Sequence, residues 1–147
     1  MPRVQNLFRA PKRRLPMEEL AEIRAVANDG FAGCAHARSG QKRQVLLVDR
    51  ETLEAMDLRP GILRENITTD GLNVNSLQIG ELLRIGEAQL EVSEVCHPCN
   101  LMEAIRSGLR KELWGRRGML CRVLQGGVIR RGDTIEKISL LGQRGEA

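Results

Sequence analysis

The sequence predicts a mostly β domain with a barrel-like sheet and a few short helices. Six or seven short apolar stretches are separated by glycine-containing turns, which favours a closed or nearly closed sheet because closure removes exposed strand edges. The alternation is clearest where Ala88, Leu90 and Val92 alternate with polar residues, as in a strand buried on one face. At 147 residues, without an internal repeat or a linker-like segment, the chain is predicted to form a single domain with its core over about 4–135.

In the first half of the chain, Val4–Phe8 is predicted to be the first strand, and the apolar run Gln44–Val48 a buried strand. The segment Met17–Asn28 stays open, since its apolar residues fit both the spacing of a helix and the alternation of a strand. Asp49 is placed to cap a short helix over Arg50–Met56, because its carboxylate can accept an N–H of the first turn.

In the second half, Ile62–Thr69 is predicted to be extended because it is rich in β-branched residues and ends at Asp70-Gly71. Residues 142–147 are predicted to be a frayed tail. The other predicted elements are a hairpin of Leu82–Ile85 with Ala88–Val95, short helices over Leu101–Arg106 and Leu109–Trp114, a hairpin of Met119–Leu124 with Val128–Ile129, and a last strand over Thr134–Leu140.

The composition, with 41% hydrophobic and 29% charged residues, is typical of a soluble globular protein. Two Phe, one Trp and no Tyr argue against single-stranded nucleic-acid binding, and we expect the one tryptophan, Trp114, to be a packing anchor. The net charge of +4 favours phosphate-bearing ligands without identifying one. We see no secretory signal and no apolar run of about 20 residues, so we expect a cytoplasmic protein with reduced cysteines and no membrane attachment.

The cysteines and histidines suggest two kinds of chemistry. Cys96 and Cys99 form a Cys-x-x-Cys, which indicates a redox dithiol or, together with Cys34 and His36, a tetrahedral zinc site. Cys99 also follows Pro98 and precedes a predicted helix, whose positive end favours a thiolate. A thiolate is the form that binds soft metals or accepts sulfur, so Cys99 is the candidate reactive cysteine.

A set of short motifs in a fixed order carries a family resemblance over roughly Val4 to Ile135. The most distinctive are Gly61-Ile-Leu-Arg-Glu-Asn-Ile-Thr-Thr-Asp-Gly71 and His97-Pro98-Cys99. The further matches are Gly30–Ala37, Arg43–Asp49, Ile79–Gly80, Leu83–Gly86, Leu90–Val95, Gly115–Gly118 and Gly126–Asp133. Together they resemble the MOSC family, named for the C-terminal domain of molybdenum-cofactor sulfurase. The resemblance implies a small, barrel-like β fold and favours a strand for the open segment Met17–Asn28.

The resemblance also implies a function. Members carry sulfur as a cysteine persulfide or hold molybdenum cofactor (molybdopterin), and they include the cofactor sulfurase, the mitochondrial amidoxime-reducing component and bacterial reductases of N-hydroxylated bases. In the reductases, a cysteine after a proline coordinates molybdenum and basic residues hold the pterin phosphate. This implies that Cys99 is both the catalytic cysteine and the metal ligand. Cys34 stands where the family usually has an acidic residue, and a thiol is a weaker acceptor than a carboxylate.

The first candidate cofactor-binding residues lie on the best-matched segment, Gly61–Gly71. On an extended Ile62–Thr69, alternation places Arg64, Asn66 and Thr68 on one face, with guanidinium, amide and hydroxyl groups suited to a phosphate or a pterin edge. His36 can contact the bound anion or orient a ligand. Arg43 and Arg117 are further candidates for the phosphate.

Three functions therefore stay open. The first is a module that binds molybdenum cofactor or carries a Cys99 persulfide, with a pyridoxal-phosphate cysteine-desulfurase-type sulfur donor or a molybdoenzyme as partner. The second is a molybdenum-dependent reductase of N-hydroxylated compounds. It would need separate electron-donor proteins, because the sequence shows no flavin-binding or iron–sulfur region. The third is a zinc or redox protein built on Cys34, His36, Cys96 and Cys99.

Overall fold

The computed structural model describes residues 1–138, which form two sheets and three short helices. The strands are β1 Arg3–Arg9, β2 Glu18–Leu20, β3 Glu22–Val26, β4 Gly30–Phe31, β5 Val45–Asp49, β6 Ile67–Asp70, β7 Leu82–Ile85, β8 Ala88–Val95, β9 Met119–Gln125, β10 Gly127–Arg130 and β11 Ile135–Ile138. The helices are α1 Arg50–Ala55, α2 Leu101–Ile105 and α3 Leu109–Glu112, and a 3-10 turn spans Val74–Ser76. The mostly β class with few helices is confirmed, whereas the predicted tail, 142–147, lies outside the described residues.

The larger sheet has eight strands in the order β11-β7-β8-β9-β5-β6-β1-β2. β5 and β6 are parallel, and every other neighbouring pair of this sheet is antiparallel. The sheet is not closed into a barrel, since β1 and β11 are not paired as strands. An isolated bridge joins Arg3 to Thr134, and the N–H of Val4 donates to the carbonyl of Asp133 at 2.8 Å. The sheet is therefore barrel-like but open along most of this seam.

The second sheet, in the order β10-β3-β4, corrects the predicted hairpin across Gly126-Gly127. β10 pairs antiparallel with β3 rather than with β9, so that Ile129 lies opposite Ile23. A Cβ on Gly126 would lie 2.8 Å from the carbonyl oxygen of Ala25. The paired glycines thus allow the two sheets to approach closely. In the sequence, glycines with this role look the same as glycines that form a turn.

The segment Met17–Asn28 contains β2 and β3, so the strand interpretation is confirmed and the helix alternative is wrong. In β3, the buried residues Ile23 and Ala25 alternate with exposed neighbours. It pairs with β4, which follows closely in sequence, and with β10, which lies far away, and this pairing decides between two patterns that local spacing leaves equal.

β5 separates two apolar cores, which is why all five of its residues are buried. Val45 and Leu47 face the first core, between the two sheets, and Leu46 and Val48 face the second. The second core is covered by α2, α3 and the turn before β6, and it includes the side chain of Cys96. The motif cysteines are therefore anchored on the helical side of the large sheet.

The predicted cap of α1 is confirmed. Asp49 Oδ1 accepts the N–H of Thr52 at 2.8 Å, and its Oδ2 accepts the N–H of Val74 at 3.1 Å. The same carboxylate thus starts the helix and holds the 3-10 turn against it. Among residues 1–138, no helix is long and apolar enough to cross a bilayer.

Candidate functional site

The four cysteines differ sharply in accessibility. Cys34, Cys96 and Cys121 are buried, whereas Cys99 is exposed, and all four are free thiols. Burial raises the pKa of both the Cys96 and the Cys121 thiols, although the charge of Arg117 opposes the rise at Cys96. Cys99 is therefore the thiol that a ligand or a sulfur donor can reach directly.

Cys99 lies where the sequence predicts, immediately before α2. The helix is five residues long, and its N-cap residue, Asn100, makes no side-chain capping bond. So short a helix aligns few peptide dipoles, and it lends little of the thiolate stabilisation expected from a helix N-terminus. The assignment of Cys99 as the reactive cysteine therefore depends on its exposure and on the residues around its loop.

The predicted extended segment Ile62–Thr69 is wrong in its first half. The N–H of Arg64 donates to the carbonyl of Gly61 at 3.0 Å, and Arg64 adopts φ +63°, so the chain turns before β6 begins at Ile67. This turn breaks the alternation that would place Arg64, Asn66 and Thr68 on one polar face. The three side chains instead go to three different places.

Arg64 is half-buried, and its Nη1 donates to the carbonyl of Leu15. This bond links the loop between β1 and β2 to the turn that contains Arg64. Thr68 is fully buried and donates its hydroxyl to Glu65 Oε2 at 2.8 Å. Its side chain supports a neighbouring residue and is not open to a ligand.

Asn66 is fully buried and joins three parts of the fold. Its Oδ1 accepts the N–H of Leu46 at 3.0 Å, and its Nδ2 donates to the carbonyl of Phe8 at 3.3 Å and to Cys34 Sγ at 3.4 Å. The amide completes hydrogen bonding between β5 and β1 just before β6 enters between them. Asn66 therefore holds β5, the end of β1 and the loop of Cys34 together through its side-chain hydrogen bonds.

Cys34 acts as a hydrogen-bond acceptor at the position where the family usually has an acidic residue. Its Sγ accepts the N–H of Ala10 at 3.3 Å, the N–H of His36 at 3.4 Å and the amide of Asn66. This buried thiol thus holds the His36 loop against the end of β1. Within residues 1–138, no three His, Cys, Asp or Glu side chains are placed to share a metal ion. The structure therefore does not contain the zinc cluster that Cys34, His36, Cys96 and Cys99 could have formed.

His36 is partly buried beside several arginines. Burial lowers the pKa of its imidazole below the usual 6.5. The positive charges of Arg64, Arg38 and Arg117 lower this pKa further, whereas a hydrogen bond with Asn66 opposes the change. His36 is therefore neutral at neutral pH, and it marks a place where positive charge accumulates.

Arg117 is the most informative of the basic candidates. It is only 7% exposed, and its Nη2 donates to the carbonyl of Leu63 at 2.7 Å. Its Nε and Nη1 are buried and have no hydrogen-bond partner among the described residues. A buried guanidinium with two free donors is costly unless an anion completes it. Arg43, by contrast, is exposed and pairs with Glu94 at 3.5 Å, so it lies on the rim.

Glu65 belongs to the same region, although the sequence analysis did not single it out. It is fully buried; its Oε2 accepts the N–H of Gly61 at 2.9 Å and the hydroxyl of Thr68, and its Oε1 has no partner among the described residues. Burial raises the pKa of this carboxyl, and the charge of Arg117 only partly opposes the rise. Its place between Arg64 and Asn66 in the best-matched motif was the signal available in the sequence.

The raised pKa of Glu65 predicts a specific pH dependence of stability. Above its ordinary value of 4.5, the unfolded chain releases this proton while the folded protein keeps it, so the stability contributed by Glu65 falls as pH rises through the folded-state pKa. Glu65→Gln should remove this fall, which amounts to at most about 1.4 kcal/mol per pH unit. Urea unfolding at a series of pH values from 4.5 upward measures it; parallel pH profiles in both proteins would contradict the assignment.

The fold and the site together define a small β protein in which the accessible Cys99 and the buried Arg117 both lie within electrostatic reach of Cys96. A family model for the MOSC domain matches residues 35–136. This match covers more than half of the chain, and the chain belongs to the MOSC domain family. A search of curated protein sequences found no match.

Solved structures show the same fold at low sequence identity. The YuaD protein from Bacillus subtilis is 20% identical and has a TM-score of 0.79, with 92% of this chain and 94% of that chain covered. YiiM from Geobacillus stearothermophilus is 19% identical with a TM-score of 0.78, covering 95% of this chain and 76% of that chain. YiiM from Escherichia coli is 21% identical with a TM-score of 0.69, covering 92% and 70%. These likenesses confirm the MOSC-type fold.

Proposed function

We infer that this protein binds molybdenum cofactor, with Cys99 as the molybdenum ligand and Arg117 as the receptor for an anionic group such as the pterin phosphate. The observation that carries this proposal is the buried guanidinium of Arg117, whose Nε and Nη1 lack partners among the described residues. Nε and Nη1 lie on different edges of the guanidinium, and each can donate to an oxygen of an anionic group. The residues present therefore fit an anionic cofactor.

The neighbouring residues divide into those that can contact the cofactor and those that hold the site. Arg64 lies within electrostatic reach of His36 and can contribute to the positive field around the anion, whereas the neutral imidazole of His36 can donate an N–H to it. Arg43 acts from the exposed rim. Asn66 and Thr68, which the sequence suggests as direct contacts, are buried in other hydrogen bonds and position the turn. When bound, the cofactor supplies two-electron redox chemistry, and its use in reduction would require separate electron-donor proteins.

A persulfide carrier is the second candidate, favoured by Cys99 being the exposed thiol of the four. The Cys99 thiolate would attack the terminal sulfur of a persulfide on a cysteine-desulfurase-type donor in the cytoplasm. A new bond forms between Cys99 Sγ and that sulfur, and the donor cysteine leaves as its thiolate. Cyanide-labile sulfur on protein exposed to such a donor, lost in Cys99→Ser, is the expected sign; equal sulfur on both proteins would exclude it.

Replacing Arg117 should deplete the bound cofactor while replacing its neighbour should not. In protein purified from a host that makes molybdenum cofactor, we expect Arg117→Gln to lower pterin content by about tenfold or more, since a hydrogen bond to a charged group contributes about 1.5–3 kcal/mol. Fluorescence of the oxidised pterin measures this. Arg116→Gln is the matched control, because Arg116 is exposed and adjacent.

Arg117→Lys separates charge from geometry and guards against loss of folding. A lysine keeps the positive charge but lacks the guanidinium fork, so it should retain an intermediate amount of pterin. If folded Arg117→Gln protein keeps as much pterin as Arg116→Gln protein, Arg117 is not the anion receptor and the proposal is wrong.

A further inference from the structure

A second concave surface lies beside the loop that carries Cys99. It is an open groove of about 450 Å³ between α2 and α3, lined by Asn100, Glu103, Gly108, Arg110, Lys111 and Trp114. Asn100 directly follows Cys99, so one wall of the groove continues from the reactive loop. The residues that line it are separate from the buried Arg117 and its neighbours.

Trp114 is 66% exposed, which corrects the expectation that it anchors packing. Its ring stacks on the imidazole of His97, with centroids 5.6 Å apart and an angle of 26° between the planes. The stacking fixes the indole, while the exposed remainder of the ring lines the groove. A large aromatic side chain held in this way is a preformed platform for another flat ring.

The charges around the groove favour an anion. The carboxylate of Glu103 is occupied, since it accepts the N–H groups of Gly108 and Arg110, both at 2.9 Å, and these bonds lower its pKa. Arg110 Nη1 donates to the neutral side chain of Asn100 at 2.6 Å, and neither Arg110 nor Lys111 forms an ion pair with any described residue. Two cations thus line the groove together with one ionised carboxylate, which leaves an excess of positive charge there.

We propose that this groove binds a planar aromatic ring carrying a phosphate or carboxylate group, with the ring against Trp114 and the anion at Lys111 and Arg110. The exposed, stacked indole accounts for the ring, and the excess of positive charge accounts for the anion. Such a ligand would lie next to the Cys99 loop. The site needs no molybdenum cofactor, so it does not depend on the function proposed above.

The composition makes the test unusually direct, because the chain has one Trp and no Tyr. Excited at the red edge of its absorption, the intrinsic fluorescence reports on Trp114 alone. Titration of the full chain with AMP should give saturable quenching. Uncharged adenosine should bind more weakly, and ribose phosphate, which lacks an aromatic ring, should not quench.

Substitutions distinguish this groove from other anion sites. By equilibrium dialysis, Trp114→Leu should weaken AMP binding by at least about fivefold, since stacking on one base contributes about 1–3 kcal/mol. Lys111→Gln should weaken AMP about threefold and leave adenosine unchanged, whereas the exposed Lys137→Gln should change neither.

Three results would overturn the proposal. One is the absence of saturable quenching by AMP, and another is undiminished AMP binding in Trp114→Leu. The third is loss of AMP binding in Arg117→Gln, which would place the nucleotide in the proposed cofactor site. Retained AMP binding in Arg117→Gln, together with depleted pterin, would support both proposals independently.

Discussion

Gly118→Ala should lower the free energy of unfolding by about 2–6 kcal/mol. Gly118 adopts φ +121°, and an added Cβ would lie well under 3.0 Å from the carbonyl oxygen of Leu47 on the adjacent strand β5. The left-handed conformation and the backbone clash each cost about 1–3 kcal/mol. The carbonyl of Gly118 also accepts the N–H of Cys96 at 3.1 Å, so the displacement would reach the cysteine loop and the neighbouring Arg117.

Gly115→Ala is the matched control for this substitution. Gly115 also has a positive φ, +83°, but its added Cβ would meet no atom within 4 Å. It should therefore suffer only the backbone strain, about 1–2 kcal/mol. Urea unfolding of both variants measures the difference. Equal losses would show that the approach of β9 to β5 at Gly118 is not as tight as the structure has it.

Asn66→Ala should cost about 3–5 kcal/mol, the second large effect. The substitution removes the acceptor of the Leu46 N–H and the donor to the Phe8 carbonyl, both in a fully buried place. Each backbone group left unpaired costs about 1–3 kcal/mol. Chemical denaturation measures the loss. It should be accompanied by a fall in the pKa of His36, followed by NMR, because the side chain of Asn66 opposes the lowering of that pKa.

Asn73→Ala provides the comparison for Asn66. Asn73 is exposed at the N-cap of the 3-10 turn and makes no side-chain capping bond. Its replacement should change stability by no more than about 0.5 kcal/mol. A similar small effect for Asn66→Ala would mean that its amide is not the link between β5 and β1.

Elements with a local signal were predictable from the sequence. The alternation in β8 and the two-residue turn before it defined the β7–β8 hairpin, which the structure confirms. The acidic cap Asp49 likewise fixed the start of α1. Non-local pairing was not predictable, because the glycines before β10 look the same whether they turn the chain or let β10 approach β3. The partner strand, a hundred residues earlier, decides which occurs.

The candidate site was predictable in part for the same reason. The position of Cys99 before α2 was predictable from the sequence, whereas its exposure was not. The prediction that Arg64, Asn66 and Thr68 share one face was wrong. Arg64 adopts a left-handed backbone conformation, and nothing in a stretch rich in β-branched residues signals this in the sequence. The sequence does not distinguish Arg43 from Arg117 as a phosphate ligand. Only the packing of β9 against β5 buries Arg117 and leaves Arg43 exposed.

The central claim is that Cys99 holds molybdenum in a cofactor whose anionic group is received by Arg117. Metal analysis of protein from a host that makes molybdenum cofactor, wild type beside Cys99→Ala, tests it most directly. Because Cys99 is exposed, the variant should fold with a stability change within about 0.5 kcal/mol. We expect molybdenum in the wild type, near one atom per chain, and none in the variant. Equal molybdenum in both proteins, or none in either, would contradict the account.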